Sequence, residues 1–173
     1  QHLLMGVILE DVTRLDRLIT DISQASRIEA ELAQTHRDDV DFRALVDSWV
    51  SMLSDRYPDI KLSWKQVDKS QDKTKLDVSI HTGRIIQILD NLLSNAISFN
   101  PPDKEIELDL KIKGKNKNKI CFSIRDHGPG IPDANLDTIF NRFYSQRPND
   151  EAFGHHSGLG LSIARQIAEA HGG

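Results

Sequence analysis

Between Leu4 and Leu32 apolar side chains recur at Leu4, Ile8, Val12, Leu15, Ile19, Ile22, Ala25, Ile28 and Leu32, in steps of three and four residues. That period predicts one long helix with an apolar seam. Glu10 stands four residues before Arg14, the favourable direction for a helical ion pair. A seam this long predicts pairing with a partner helix; packing onto the helix's own domain is the alternative. The pattern changes after Thr35 and His36, which sets a boundary near Arg37.

Downstream, helical and alternating periods take turns. Val40 and Phe42 predict a short strand, and Asp41 is suited to cap a helix carrying Leu45, Val46, Trp49, Val50 and Leu53, which Pro58 stops. Ile60, Leu62 and Trp64 alternate with Lys61, Ser63 and Lys65 as a half-buried strand should, and Leu76, Val78 and Ile80 repeat the pattern. Thr82 and Gly83 open a helix that bears Asn91 and Asn95, fenced on its far side by Pro101 and Pro102. Ile106, Leu108, Leu110 and Ile112 are answered by Ile120, Phe122 and Ile124 across a lysine-rich turn, a hairpin signal. Leu136, Ile139, Phe140 and Phe143 predict a short helix, and Leu161, Ile163, Ala164, Ile167 and Ala168 a last one. Helices with an antiparallel sheet give a two-layer α+β domain.

Length and charge narrow the function classes. The chain has 173 residues, enough to bury a core, and a formal net charge of -4, which argues against a general nucleic-acid binder. Lys111, Lys113, Lys115, Lys117 and Lys119 alternate with Ile112, Gly114, Asn116 and Asn118; they read as a solvated hairpin tip whose lysines protect strand edges. No apolar run approaches the roughly 20 residues of a spanning helix, so any membrane attachment is expected outside these residues. A single cysteine, Cys121, excludes a disulfide framework within one chain, fits a reducing compartment, and reads as a small buried core residue.

The candidate chemistry comes as an ordered set. Asn91 and Asn95 project from one helical face, and an amide oxygen is a hard, neutral ligand able to hold Mg²⁺; alone, the pair reads as a polar helix face. Asp126 follows a strand expected to be buried and precedes Gly128 and Gly130. A carboxylate there can accept a hydrogen bond from the exocyclic amine of adenine, although an Asp-Gly turn is the competing reading. Gly158 and Gly160 open the last helix, whose free N–H groups and dipole favour phosphate, and Ser157 can add a hydroxyl. Each signal is weak by itself. Their order points to a pocket for an adenine nucleotide and its metal.

Together these residues resemble the catalytic ATP-binding domain of bacterial sensor histidine kinases, of the Bergerat fold shared with gyrase-type ATPases. Asn91-Leu92-Leu93-Ser94-Asn95-Ala96 is similar to the N box, Asp126-His127-Gly128-Pro129-Gly130 to the G1 box, Phe140-Asn141-Arg142-Phe143-Tyr144 to the F box, and Ser157-Gly158-Leu159-Gly160-Leu161 to the G2 box. The tail Tyr144-Ser145-Gln146-Arg147-Pro148 and the preceding long helix resemble sensors of the ChvG type. The resemblance implies a two-layer sandwich of helices on a mixed, largely antiparallel sheet over 37–173, cut short at its C-terminal end. Residues 1–36 would be the second helix of a dimerisation hairpin. It also implies ATP and Mg²⁺ as cofactors, with Asn95 as metal ligand, Asn91 near the phosphates and Asp126 on the adenine amine. Phe99, Gly128, Gly130, Ile131, Phe140, Tyr144, Ser157, Gly158, Leu159, Gly160 and Leu161 would line the nucleotide, and 131–157 would form a mobile lid.

The departures from the family pattern matter as much. Many members carry Lys or Arg three residues past the metal asparagine, where this chain has Ser98. The arginine that often follows the Phe-Tyr pair is Ser145, so Arg142 or Arg147 would have to supply charge for transfer. Gyrase-type relatives place a glutamate base where Asn91 stands, and an amide cannot accept that proton, which implies slow hydrolysis. None of His2, His36, His81, His127, His155, His156 and His171 has the acceptor context of the family, so the phosphorylated histidine is expected on a helix outside these residues. The resemblance thus implies a kinase that forms a homodimer through its first helix, passes phosphoryl to a response regulator, and belongs to the cytoplasmic portion of an inner-membrane sensor. A nucleotide-binding dimerisation scaffold with little kinase activity is the alternative, and a gyrase-like ATPase or serine-directed kinase a third.

Overall fold

The computed structural model describes residues 36–66, 76–113, 119–144 and 158–173. The long helix expected over Leu4 to Leu32, most of the lysine turn, Arg147, His155, His156 and Ser157 lie outside the described residues. Two compact units emerge, one formed by Arg37–Gly130 and the other containing the described part of Ile131–Gly173.

In the first unit β1 (Asp38–Asp41) runs directly into α1 (Phe42–Arg56). Asp41 makes the transition, because its Oδ1 accepts from the Arg43 N–H at 3.0 Å and from the Leu76 N–H at 3.2 Å. One carboxylate therefore caps the helix and ties down the chain that enters β3 (Asp77–Ile80), the antiparallel partner of β1. The expected strand at Val40 is present, but Phe42 already belongs to the helix. α1 ends at Arg56, two residues before Pro58, as the residue preceding a proline is driven out of helical geometry.

A second, three-stranded sheet has the order β2 (Leu62–Gln66), β4 (Ile106–Lys113), β5 (Lys119–Arg125). The hairpin is as expected: β4 and β5 are antiparallel, with Leu108 opposite Ile124 and Leu110 opposite Phe122. β2, however, lies parallel to β4, pairing Leu62 with Ile106 and Trp64 with Leu108. The expectation of helices on a mixed sheet holds. Among the described residues β1 and β3 form a separate two-stranded sheet.

The three-stranded sheet turns one face to α1 and to α2 (Thr82–Phe99). Val46, Trp49 and Leu53 from α1, Leu89, Leu93 and Ala96 from α2, and Ile106 and Leu108 from β4 make the buried core, with Leu62, Trp64, Phe122 and Ile124 packed against it. Fully burying an aliphatic side chain of this size contributes roughly 1.5 to 3 kcal/mol, so this cluster dominates the unit's stability. Both tryptophans find acceptors for their indole N–H groups: Trp49 donates to Asp90 at 3.0 Å and Trp64 to Asp47 at 2.9 Å.

The period of two decides Cys121 differently from the sequence reading. Its register partner is Lys111, on the face opposite Phe122, so the thiol is half-buried on the polar side of the sheet and outside the core. β5 as a whole is only partly covered, and Asp126 follows a half-buried edge strand where a buried one was expected.

In the second unit the segment expected as one short helix is instead a pair of 3₁₀ turns, Asp133–Asn135 and Thr138–Phe140. Leu136 and Phe143 are exposed there, which leaves too little of an apolar face to support a full helix. The last helix, α3 (Gly160–Ala170), forms where its period predicts and buries Ile163, Ala164 and Ile167.

Candidate functional site

α2 carries the amides. Its apolar positions Ile85, Leu89, Leu93 and Ala96 face inward, and the 3.6-residue period leaves Asn91 and Asn95 half-buried at the margin of that stripe. Ser98 turns its hydroxyl back to the Asn95 carbonyl oxygen at 2.8 Å. The Asn95 side-chain amide has no hydrogen-bond partner among the described residues, so its oxygen is available to an outside group. Phe99, the last residue of α2, is 38% exposed.

The segment after β5 folds against the C-terminal end of α2. Asp126 is exposed; its Oδ1 accepts from the Gly128 N–H at 2.8 Å, and among the described residues Oδ2 has no partner. A Cβ on Gly128 would stand 2.8 Å from the Phe99 carbonyl oxygen, so only glycine permits this approach. Gly130, at φ +75°, turns the chain away with open space about its Cα. Asn95 lies four residues before Phe99, about 6 Å along the axis at the usual helical rise. The structure thus brings Asn91, Asn95, Phe99, Asp126, Gly128 and Gly130 into one unit and draws the Asp126 segment to the turn of α2 that follows Asn95.

The remaining sequence-predicted residues belong to the other unit. Ile131 is exposed, Phe140 closes the second 3₁₀ turn, Arg142 is exposed and Tyr144 is half-buried. Gly158 has φ +70° and sits against the backbone of Phe143 and Tyr144, while Phe143 itself is at φ +64° and donates its N–H to the Gly158 carbonyl at 3.1 Å. Leu159 is buried at the N-cap of α3, where it offers no side-chain acceptor to the helix N–H groups, and Gly160 and Leu161 form the first turn.

Sequence reasoning missed several contributors. Asn100, the C-cap of α2, accepts the His127 N–H on its side-chain oxygen at 2.9 Å; an Asn-Pro step after a helix is a turn signal that pointed there. Asp90 joins α1 to α2 through Trp49, and the signal was a buried indole in need of an acceptor. Arg165 of α3 lies 5.5 Å over the Phe140 ring. Its hydrogen bond to Glu169 at 2.8 Å, followed by the charge of that carboxylate, raises the guanidinium above its ordinary value. That cation stays charged at any working pH.

Residues 80–173 match the family described as histidine kinase-, DNA gyrase B-, and HSP90-like ATPase. The chain belongs to that family. Among relatives of this ATPase type, the sensor protein ChvG of Agrobacterium fabrum is 42% identical over 173 residues, which is 98% of this chain and 29% of that protein. The chain spans about three tenths of the length of the curated relatives it matches. A mycobacterial sensor histidine kinase, MprB, superposes with a TM-score of 0.59 at 26% identity, covering 80% of this chain and 81% of that one. Full-length ShkA, solved in complex with AMPPNP, shares the fold at a TM-score of 0.72 and 24% identity, over 99% of this chain and 34% of that one. These relatives bear out the resemblance read from the motifs.

Proposed function

We propose that this chain is the ATP-binding catalytic part of a two-component sensor histidine kinase, and that it transfers the γ-phosphoryl group to a histidine on a helix outside these residues. The observation that carries the reading is the juxtaposition on one unit of an unengaged amide at Asn95 and a carboxylate at Asp126 with one oxygen unsatisfied. The donor set fits the cofactors. A neutral amide oxygen suits Mg²⁺ while leaving most coordination positions to phosphates and water, and an acceptor-only carboxylate suits the adenine amine.

In this reading Asn95 holds the metal, Asn91 meets the phosphates and Asp126 selects the base. Gly128, Gly130 and Ile131 pass beside the ring, and Phe99 borders it. By the family resemblance Phe140, Tyr144, Ser157, Gly158, Leu159, Gly160 and Leu161 are assigned to the nucleotide as well, and 131–157 to a lid. Bound Mg²⁺ would neutralise charge developing on the transferred group. The chain's own work is positioning, since phosphoryl transfer needs no protein nucleophile. Arg142 or Arg147 supplies the remaining positive charge, and the amide at Asn91 gives water no general base. Residues 1–36 pair with a second copy, 37–173 form the catalytic domain, a response regulator takes the phosphoryl group onward, and membrane attachment lies in other segments of a sensor.

The test supplies the acceptor helix in trans with labelled ATP and Mg²⁺. Acid-labile label on its histidine supports the reading. The Ser98 hydroxyl turned onto its own helix in place of a basic phosphate contact favours a second reading, a nucleotide-binding scaffold. Saturable ATP binding without label transfer would select that one, and absence of ATP binding would sink both.

A further inference from the structure

We infer that Asn100 is the positioning residue that sets where Asp126 stands, and through it the affinity for adenine; the inference rests on the nucleotide reading above. Asn100 caps α2 with φ −73° and ψ 132°, so its backbone leaves the helix while its own N–H still bonds to Ala96 at 2.9 Å. Its side chain then uses both ends. Oδ1 accepts from the His127 N–H at 2.9 Å, while Nδ2 donates to the carbonyls of Pro101 at 3.1 Å and Lys104 at 2.8 Å. The Pro101 carbonyl also accepts from the Lys104 N–H at 3.0 Å, closing the turn that Asn100 braces. These partners fix the amide orientation, because reversing it would set an oxygen against two carbonyls and a donor against a donor.

The consequence falls on the neighbouring residue. Asp126 and His127 are exposed, and the other tether of this segment, His127 Nε2 to Glu107 at 3.6 Å, is an ion pair only when the imidazole is protonated and shares Glu107 with Lys65 at 3.8 Å. Among the described residues the bond to Asn100 is therefore the firm backbone anchor one residue from the carboxylate. It holds the segment at the distance where the Phe99 carbonyl leaves no room for a Cβ on Gly128. Released, the segment is free to lift, and losing a hydrogen bond to a charged group costs on the order of tenfold to a hundredfold in affinity.

Two variants of the 173-residue chain test this. Asn100→Ala removes the clamp; Asn100→Leu keeps the branched shape but offers the His127 N–H no acceptor and the Pro101 and Lys104 carbonyls no donor, so it breaks the clamp without a cavity. With Mg²⁺ present, calorimetric titration should show ATP affinity falling at least about tenfold in both, with far-UV circular dichroism unchanged and faster hydrogen exchange at the His127 amide. In an Asp126→Asn background neither change should weaken binding further, because the lost contact is the one Asn100 positions. Parent-like ATP affinity in both variants, alongside a loss in Asp126→Asn alone, overturns the role of Asn100 and leaves the nucleotide reading standing. An equal further loss in the Asp126→Asn background also overturns it, since Asn100 would then act independently of Asp126. No ATP binding by the parent overturns the nucleotide reading and this inference with it.

Discussion

The indole N–H of Trp49 donates to Oδ1 of Asp90 across 3.0 Å, and this bond fastens α1 to the residue that precedes Asn91 on α2. Trp49 is 2% exposed, so its ring is core, while Asp90 keeps a second partner in Arg56 at 3.4 Å. Trp49→Phe retains most of the packing and removes the donor. Its expected cost is about 1 to 2 kcal/mol, the lower part of the range for a lost bond to a charged group that water can reach. Trp49→Ala should cost about 3 to 5 kcal/mol through the cavity it leaves. Urea denaturation followed by circular dichroism checks both, and equal midpoints for parent and Trp49→Phe would remove the bond from the account.

Gly128 and Gly130 stand two residues apart yet answer to different constraints. Gly128→Ala meets the Phe99 carbonyl and the Asp126 carboxylate at 2.8 Å, so the segment must move. ATP affinity is expected to fall about tenfold or more while the fold persists. Gly130→Ala meets open space and suffers only from φ +75°, a strain of about 1 to 2 kcal/mol. Titration and thermal melting of the two variants side by side separate collision from strain.

Phe143 occupies the left-handed region that non-glycine residues avoid, against a Gly158 that occupies it freely. Phe143→Asn, at a site 55% exposed, should be neutral or stabilising within about 1 kcal/mol, because asparagine tolerates that conformation. Gly158→Ala adds a Cβ 3.0 Å from the Phe143 backbone at φ +70° and should cost about 1 to 3 kcal/mol. Thermal unfolding decides the signs; a stabilised Gly158→Ala would contradict the described contact.

Asn95 offers the clearest metal test. If its amide oxygen binds Mg²⁺, Asn95→Ala should leave nucleotide affinity the same in magnesium as in chelator, whereas Asn95→Asp, which still presents an oxygen, should keep a magnesium response. Parallel titrations with and without the chelator measure it. A full magnesium response in Asn95→Ala would move the ligand elsewhere.

Much of the architecture was legible because burial and period coincide. Ile106, Leu108 and Leu110 alternate along β4 and are 0%, 0% and 3% exposed, and an antiparallel neighbour joined by a turn inherits its register from that alternation. Asp41 was readable as a cap because capping is local chemistry. The short helix expected at Leu136 to Phe143 was misread, since apolar spacing over so few residues promises a face but cannot say whether anything covers it. Cys121 was misplaced because an apolar run hides which of two faces each member takes until a partner strand fixes it.

By itself the sequence determined the order of strands and α-helices among the described residues and the chemistry at each position of the motifs, since periodicity, capping and side-chain type are properties of neighbours along the chain. Only the tertiary structure decided that β2 runs parallel to β4, that Asp90 receives the Trp49 indole, and that Asn100 seizes the backbone of His127. Those contacts join residues 27 to 44 positions apart. Their partners are selected by how helices and strands pack, and no local pattern encodes that.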